Sequence, residues 1–315
     1  MKVVIPGGSG SLGQAIARSL TASGHEVVIL SRGARAASGR AVHWNGRTLG
    51  DWACELDEAD AVVVLAGKSV NCQHTPAARD EMRRSRLESV AVVGKAMAAC
   101  SRPPHTWLQA SSATVYSHRY DAPNDEEHGQ IIARSPDTPE HWRHSVELVQ
   151  DWERAAQTAC PPETRLSLLR IAMVMALGPD ETFNLLYTLA RRGLGGSIAG
   201  GRQMMSWIHE VDFVRAVEFV LEHPELVGPV NLASPHPVSQ REFMRVLRQS
   251  AGIPIGLPAT AWMLELGARV LKTESELILK SRFVVPGRLA SAGFEFEFAT
   301  WEAAARDLCA RWRRQ

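Results

Sequence analysis

The sequence predicts an α/β protein built on a doubly wound, mostly parallel sheet, because strand and helix patterns alternate along its first half. Each predicted strand is a short, continuous apolar run, which is typical of strands buried on both faces of a sheet. The predicted strands are residues 3–6, 25–30, 61–67, 106–110 and 165–171, and the helices between them include residues 14–20, 76–100 and 145–159. Because parallel strands are joined by right-handed crossovers, their carboxyl ends meet at one edge of the sheet, where ligands bind.

A glycine-rich turn follows the first strand. Gly7, Gly10 and Gly13 are spaced three residues apart, and a helical pattern begins directly after them. Glycines let the backbone approach a pyrophosphate, and the helix N-terminus supplies free N–H groups and a partial positive charge. We therefore predict that this turn binds a dinucleotide. The predicted contacts are Gly7, Gly8, Ser9, Gly10, Ser11, Leu12 and Gly13.

The end of the second strand predicts which dinucleotide is bound. Proteins that bind NAD usually carry Asp or Glu about 20 residues after the glycines, where the carboxylate hydrogen-bonds the ribose 2′-hydroxyl. Here that position holds Ser31 and Arg32, with Arg35 close by. A guanidinium group pairs with a 2′-phosphate, whereas a carboxylate repels it. The sequence therefore predicts NADP(H) as the cofactor, against the alternative that Arg32 is a solvated loop arginine.

The composition argues against several other classes of protein. The 315 residues carry a net charge of +1, with 45% hydrophobic and 22% charged residues, which does not favour binding to nucleic acid or to an anionic membrane. No apolar run approaches the ~20 residues that a membrane helix needs, and the early first strand leaves no room for a signal peptide. Five cysteines lie far apart, and no His, Cys or carboxylate spacing indicates a metal site. We expect a cytoplasmic monomer or homodimer that acts on a small molecule.

The alternation of strands and helices becomes irregular after about residue 175. We therefore predict a dinucleotide-binding domain over residues 1–175 and a smaller C-terminal α/β domain over residues 176–315 that mainly binds substrate. Residues 205–233 contain a further strand pattern and are expected to return to the sheet of the first domain.

Three residues of the second domain are candidates for contact with substrate. Arg202 and Gln203 follow two consecutive glycines, Gly200 and Gly201, which would let the loop approach a ligand. The Arg202 guanidinium could then hold a phosphate or a carboxylate, and a solvated arginine in a β-turn is the alternative. Trp207 lies on the short extended stretch that follows.

Further cofactor contacts are expected where the other parallel strands end. Arg170 ends a predicted strand, and a buried arginine there needs an anionic partner, which could be a cofactor phosphate, the substrate or a protein carboxylate. Arg86 is a weaker candidate from the helix after the third strand. The full set of these candidates is Leu65, Ala66, Gly67, Arg86, Ala110, Ser111 and Arg170.

The motifs together resemble the extended or atypical short-chain dehydrogenases/reductases. Residues 7–13 and 65–67 are similar to the glycine turn and the next cofactor strand of that superfamily, and residues 111–116 are similar to the S-S-x-x-V-Y of sugar-nucleotide epimerases. More narrowly, the chain resembles bacterial NAD-dependent epimerase/dehydratase-like "epimerase family" proteins, which are related to a human short-chain dehydrogenase-like protein. The segments similar to this narrower group are residues 151–153, 206–212, 228–231 and 285–294.

The resemblance implies an NADP(H)-binding Rossmann domain, a substrate domain and a catalytic set of Ser, Tyr and Lys. Ser112 matches the serine that holds the substrate oxygen, although it could equally cap the turn that follows it. The Tyr-x-x-x-Lys pair is absent from the sequence. If Glu153 marks the helix that normally carries this pair, Ser145 stands at the tyrosine position and Val149 at the lysine position.

Without that pair, either another group transfers the proton between enzyme and substrate, or the protein has no proton-transfer group and does not catalyse the reaction. Tyr116 is the first candidate, against the alternative that its ring only packs, and His141 and His144 lie just before the same helix. The sequence thus predicts an NADP(H)-dependent oxidoreductase or sugar-nucleotide-epimerase-like isomerase that acts on a small hydroxyl or carbonyl compound. The alternative is a non-catalytic NADP(H)-binding sensor or interaction protein, because a positioned proton donor normally contributes ~10²–10⁴-fold to the rate.

Overall fold

A computed structural model of the chain describes residues 1–33, 36–70, 72, 74–131, 140–178, 181–260 and 276–315. Within these ranges seven strands form the central sheet. They are β1 (Lys2–Pro6), β2 (Glu26–Ser31), β3 (Arg40–His43), β4 (Ala61–Val64), β5 (Thr106–Ser112), β6 (Arg165–Ile171) and β10 (Gly228–Leu232). Their order is β10-β6-β5-β4-β1-β2-β3, and every neighbouring pair is parallel. The predicted doubly wound sheet is confirmed, and the direction of winding changes between β1 and β4, where α/β proteins bind ligands.

Helices cover both faces of this sheet. They are α1 (Ser11–Ala22), α2 (Pro76–Ala98), α3 (Glu140–Ala159), α4 (Thr182–Arg191), α5 (Glu210–Glu222), α6 (Gln240–Ala251) and the segments Glu276–Leu279, Gly287–Ser291 and Trp301–Trp312. Helices α1 and α5 pack on one face, and α2 and α3 pack on the other. Both faces are therefore covered, and side chains of β1 are buried on each, Val3 and Ile5 in one core and Val4 in the other.

The chain after residue 175 divides between two cores. Helix α5, strand β10 and residues 287–296 pack with the α1 side of the sheet, where Leu289 and Phe294 are buried. Helices α4 and α6 and the Trp301–Trp312 helix form a separate core, in which the rings of Phe243 and Trp301 stack with centroids 3.8 Å apart. Four short strands complete this half: β7 (Met173–Met175), β8 (Met204–Met205), β9 (Trp207–His209) and β11 (Val238–Ser239). No helix in the part of the chain that the structure describes is long and apolar enough to cross a membrane.

Helix α5 begins with a histidine cap. His209 Nδ1 accepts a hydrogen bond from the Val211 N–H at 3.1 Å, and Nε2 lies 3.1 Å from Asp307 Oδ2. The two contacts assign the ring proton to Nε2, because only an unprotonated nitrogen can accept. Burial lowers the pKa of His209 to about 4 and outweighs the nearby Asp307 carboxylate, which raises it. The cap is therefore a neutral imidazole at physiological pH.

Acid should destabilise the protein through His209. Its folded pKa of about 4 lies below the ordinary value of 6.5, so the unfolded chain takes up this proton first as the pH falls. We expect this group to lower the free energy of unfolding by about 3 kcal/mol between the two pKa values. Urea unfolding at several pH values should show a weaker pH dependence in His209→Asn. Equal slopes for His209→Asn and wild type would contradict the assignment.

Candidate functional site

The glycine turn is packed too tightly for side chains. Gly7 has a positive φ of 82°, and a Cβ placed on it would lie 2.7 Å from Ala66 Cα at the end of β4. A Cβ on Gly13 would lie 2.5 Å from Gly8 Cα. Because real Cβ contacts are not this short, the close approach of β1, β4 and α1 requires glycine at both positions.

The same turn is open on its outer side. Ser9, Gly10 and Ser11 are exposed, Leu12 is half-buried, and the cap residue Gly10 makes no side-chain cap hydrogen bond. The first N–H groups of α1 are thus available to an anion, with the positive end of the helix dipole behind them. Gln14 steadies the turn, since its Nε2 donates to the Gly8 carbonyl at 2.8 Å.

The end of β2 places an uncommitted arginine beside this turn. The Ser31 side chain is buried, and its Oγ accepts a hydrogen bond from the Gly33 N–H at 3.1 Å. Arg32 is exposed and makes no hydrogen bond, ion pair or ring contact with any other residue in the described ranges. Arg35, also predicted to bind cofactor, lies outside those ranges. The structure therefore leaves the Arg32 guanidinium free to meet a ligand.

Arg86 supports the loop after β4 from behind. It is buried, and its Nη1 donates to the carbonyls of Lys68 at 3.0 Å and Met82 at 3.1 Å. Its guanidinium carbon lies 4.8 Å from the centre of the Trp152 ring, and burial lowers its pKa to about 10. The side chain fills the space beneath Gly67, where a Cβ would lie 3.2 Å from Arg86 Cγ. The hydrogen bonds that the structure shows for Arg86 go to the protein backbone. They differ from the predicted direct contact of Arg86 with the cofactor.

A buried ion pair occupies the carboxyl ends of β5 and β6. Arg170 Nε and Nη2 donate to the two carboxylate oxygens of Glu153 on α3, both at 2.9 Å. Ser111 Oγ donates to Glu153 Oε1 at 2.5 Å. The side chains of Arg170 and Glu153 are only 6% and 10% exposed. The anionic partner of Arg170 is therefore a protein carboxylate, which corrects its assignment to the cofactor-binding set and leaves Ser111 with a structural hydrogen bond.

Tyr116 extends this network to β10. Its hydroxyl accepts from Arg170 Nη1 and donates to Asn231 Oδ1, both at 2.9 Å. The ring is buried beside Val149, and burial raises the pKa of Tyr116 although the neighbouring Arg170 lowers it. The Tyr116 hydroxyl is buried, takes part in two hydrogen bonds and has a raised pKa, so it is a poor proton donor to substrate. The structure thus corrects the proposal that Tyr116 is catalytic and favours the packing alternative.

Ser112 ends β5 at the ligand edge of the sheet. It is half-buried, and its Oγ accepts a hydrogen bond from the Thr114 N–H at 3.2 Å, which caps the short helical turn Ala113–Val115. The capping alternative is therefore correct, and it leaves the Ser112 O–H free to act as a donor. Leu65, Ala66 and Ala110 lie at or next to the neighbouring strand ends, Leu65 half-buried and both alanines buried.

A cluster of polar side chains contacts the turn that follows Ser112. Ser145 Oγ on α3 donates to Glu276 Oε2 at 2.6 Å, and Lys280 Nζ lies 3.9 Å from Glu276 Oε1. Lys280 Nζ also donates to the Thr114 carbonyl at 2.7 Å. The side chains of Lys280 and Glu276 are only 1% and 4% exposed. This Ser145–Glu276–Lys280 cluster joins α3 to the turn that follows Ser112.

Two of the predicted substrate residues are buried. Trp207 packs in the core beneath Trp301, and Gln203 is buried with its Nε2 donating to the Ile198 carbonyl at 3.2 Å. Their burial gives no support to the prediction that these two side chains contact substrate. Arg202 is exposed, and its guanidinium carbon lies 5.8 Å from the centre of the Tyr120 ring.

The histidine alternatives for proton transfer receive little support from their surroundings. His144 is half-buried, and burial together with nearby Arg79 lowers its pKa. The side chain of His141 lies outside the described residues. Within the described ranges, no group of three or more His, Cys, Asp or Glu side chains is arranged to hold a metal ion.

Comparison with known proteins gives the family. The family model described as "NAD dependent epimerase/dehydratase family" matches residues 3–233, and a second, "Domain of unknown function (DUF1731)", matches residues 259–308. The chain belongs to the NAD dependent epimerase/dehydratase family. The resemblance to that family seen in the sequence motifs is thereby confirmed. Both Ser112 and Ser145 fall within the epimerase/dehydratase match, whereas Glu276 and Lys280 fall within the second one.

Relatives of this family member match along nearly the whole chain. "Epimerase family protein ML0860" of Mycobacterium leprae is 31% identical over 95% of this chain and 92% of its own. "Epimerase family protein YfhF" of Bacillus subtilis is 28% identical over 98% of both chains. A crystal structure of the human epimerase family protein SDR39U1 with NADPH has a TM-score of 0.84 and 26% identity, covering 98% of this chain and 99% of the human one. The similarity therefore extends through the C-terminal segment as well as the sheet.

Sequence reasoning missed the residues that arrive from far along the chain. Glu276 and Lys280 are 131 and 166 residues away from their partners Ser145 and Thr114. A local signal was present, because Glu276 and Lys280 are spaced i, i+4 on either side of the apolar residues Leu277–Leu279. This spacing places the two charged side chains on one face of a helix, but it does not reveal their burial or their distant partners.

Proposed function

We propose that this protein is an NADP(H)-dependent oxidoreductase or isomerase that acts on a small hydroxyl or carbonyl compound. The observation that carries the proposal is the open N-terminus of α1 beside the guanidinium of Arg32, which has no partner among the described residues. The two features offer separate sites to a pyrophosphate and to a 2′-phosphate. The human relative crystallised with NADPH supports this choice of cofactor.

The residues that would hold the cofactor fit it without rearrangement. Backbone N–H groups in the first turn of α1 would bind the pyrophosphate, and Gly7 and Gly13 allow the close packing that forms the turn. Arg32 would bind the 2′-phosphate, while Leu65, Ala66 and Gly67 would border the dinucleotide at the end of β4. When bound, the nicotinamide ring supplies a hydride acceptor or donor.

Ser112 would hold the substrate oxygen at the end of β5. Its Oγ is fixed by the Thr114 N–H, so its proton can be directed at a carbonyl or hydroxyl without loss of side-chain entropy on binding. Arg202, exposed on the loop after Gly201, would reach an anionic part of the substrate. We place most of the substrate contacts in residues 176–315 and the protein in a reducing cytoplasm, since all five cysteines are free thiols.

Arg32→Ala should weaken NADPH binding by about 10- to 100-fold, the loss expected for one charge-assisted contact with phosphate. The affinity for NADH should change little, because NADH has no 2′-phosphate. Isothermal titration calorimetry with each coenzyme would measure both values. Arg18→Ala is a matched control, since Arg18 is an exposed arginine on α1.

The wild-type result tests the proposal directly. Wild-type protein should bind NADPH more tightly than NADH, and Arg18→Ala should preserve that preference. A wild-type protein that prefers NADH or binds neither coenzyme would contradict the cofactor assignment. Binding of NADPH that is equally tight in Arg32→Ala would remove Arg32 from the site.

A further inference from the structure

We propose that Ser145, Glu276 and Lys280 form a proton relay that serves the substrate held at Ser112. The inference rests on the proposed function, because it assigns the proton-transfer step of that reaction. Ser145 would be the catalytic residue that touches the substrate oxygen. Glu276 and Lys280 would act through Ser145.

The position of Ser145 brings its hydroxyl to the side of α3 that faces the turn after Ser112. Val149, four residues later on the helix, packs with Ala113 and Val115 of that turn. Residues spaced i, i+4 lie on the same face of a helix, so Ser145 is directed toward the same region. Ser145 is half-buried, whereas Glu276 and Lys280 behind it are fully buried. Ser145 is therefore the one member of the relay that is partly exposed.

The hydrogen bonds of the cluster define the direction of transfer. Ser145 Oγ donates to Glu276 Oε2, so its lone pairs remain free to accept a proton from a substrate hydroxyl. Glu276 Oε1 has no hydrogen-bond partner in the described ranges and lies 3.9 Å from Lys280 Nζ. A buried carboxylate oxygen without a hydrogen bond is costly and needs an explanation. Here Glu276 Oε1 faces the Lys280 amine, to which the carboxyl group can pass a proton after it takes one from Ser145 and rotates.

Lys280 is suited to take up and release that proton near neutral pH. Burial lowers its pKa to about 7, helped by the nearby Arg282 and opposed by Glu276. The groups that face its Nζ are Glu276 and Arg282 from its own segment and the Thr114 carbonyl from the turn after β5. Most lysines stay charged at pH 7, whereas this one exchanges between charged and neutral forms, as a proton carrier must.

In the oxidation of an alcohol, the substrate loses one proton and one hydride. The substrate O–H bond breaks, and its proton moves to Ser145 Oγ as the Ser145 proton moves to Glu276 Oε2. The neutral carboxylic acid then rotates to turn its O–H toward Lys280, and the neutral amine takes that proton and leaves Glu276 as the carboxylate. The substrate carbon loses its hydride to the oxidised nicotinamide cofactor of the proposed function and becomes a carbonyl carbon. In the reducing direction, charged Lys280 returns the proton through the same groups.

The first test follows the lysine itself and needs no substrate. The chain has five lysines, so protein labelled at lysine Cε should give five resolvable signals in an NMR titration. The signal missing in Lys280→Met is that of Lys280, and we expect its midpoint near pH 7. Glu276→Gln should move that midpoint further down, because the carboxylate that favours the charged amine is gone. A Lys280 midpoint at the ordinary value of 10.5 would overturn the relay.

The second test uses NADPH and a panel of aldehydes, ketones and nucleotide-sugar carbonyl compounds. Ser145→Ala should lower kcat by ~10²–10⁴-fold with little change in NADPH affinity. Wild-type reduction should slow as the pH rises through the Lys280 midpoint, and this step should be missing in Lys280→Met. Lys95→Met, which changes an exposed lysine on α2, should behave as wild type.

The outcomes separate the relay from the proposed function. Wild-type kcat in Ser145→Ala and Glu276→Gln, with NADPH binding intact, would overturn the relay and leave the proposed function standing. Absence of NADPH binding in wild type would overturn the proposed function. Wild type that binds NADPH and reduces no compound of the panel would overturn both the reaction and the relay. If Lys280→Met does not fold, the kcat values of Glu276→Gln and Ser145→Ala still test the relay.

Discussion

Glu153→Ala should lower the free energy of unfolding by about 3–5 kcal/mol, because it leaves the buried Arg170 charge without its carboxylate. Both side chains are almost fully buried, and two hydrogen bonds of 2.9 Å join them. The change also removes the acceptor of the Ser111 hydroxyl. Because Ser111 adjoins Ser112, we expect loss of order at the ligand edge together with loss of stability. Urea or thermal unfolding would measure the stability effect.

Two further variants show whether the unpaired Arg170 charge causes the loss of stability in Glu153→Ala. Glu153→Leu combined with Arg170→Met should recover much of the lost stability, since apolar groups can replace a buried ion pair at little cost. Arg102→Ala breaks an exposed ion pair between Arg102 and Glu58, in which the two side chains are 70% and 64% exposed. It should lower the free energy of unfolding by less than about 1 kcal/mol. A Glu153→Ala protein as stable as Arg102→Ala would show that the buried pair contributes little.

Gly10→Ala should abolish or strongly reduce NADPH binding while the protein stays folded. The nearest atom to a Cβ on Gly10 is the Gly7 carbonyl oxygen at 3.8 Å, so the protein itself has room for the methyl group. The backbone of Gly10 is extended with φ −73°, which alanine adopts readily. The methyl group would, however, project from the open N-terminus of α1, where the pyrophosphate is proposed to lie. We expect affinity at least about 10-fold weaker and an unfolding free energy within about 1 kcal/mol of wild type.

Gly13→Ala provides the contrasting case on the same turn. Its Cβ would meet Gly8 Cα at 2.5 Å, and both atoms belong to rigid backbone. The first turn of α1 must then shift, which should cost about 1–3 kcal/mol of stability as well as cofactor affinity. Calorimetric titration with NADPH and thermal unfolding of both variants would separate the two effects. Full NADPH affinity in Gly10→Ala would show that the cofactor does not approach this residue.

The features that depend on neighbours in sequence were predictable. The strand of residues 165–171 has the predicted bounds, and Gly7 and Gly13 have the conformations and close contacts that a dinucleotide turn requires. Both follow from local physics, since apolar runs bury strands and only glycine tolerates such short distances. The family was also suggested by the resemblance of short motifs, among them residues 7–13 and 111–116.

The chemistry beyond the turn depended on contacts between distant segments. The sequence left three partners open for Arg170, and only the fold brings Glu153 of α3 against it. Tyr116 reads as an available phenol in the sequence, but the packing of β6 and β10 buries its hydroxyl between Arg170 and Asn231. Burial then sets its ionisation, and burial is a property of the whole fold.

The sequence by itself determined the parallel sheet, the open glycine turn and the arginine that follows β2, because each arises within a few residues of the chain. Only the tertiary structure decided which polar groups face one another at the carboxyl ends of β5 and β6. It brought Lys280 to the Thr114 carbonyl across 166 residues and Glu276 to Ser145 across 131. A sequence pattern records spacing along one element, whereas the pKa and the partner of a buried charge depend on every element that packs around it.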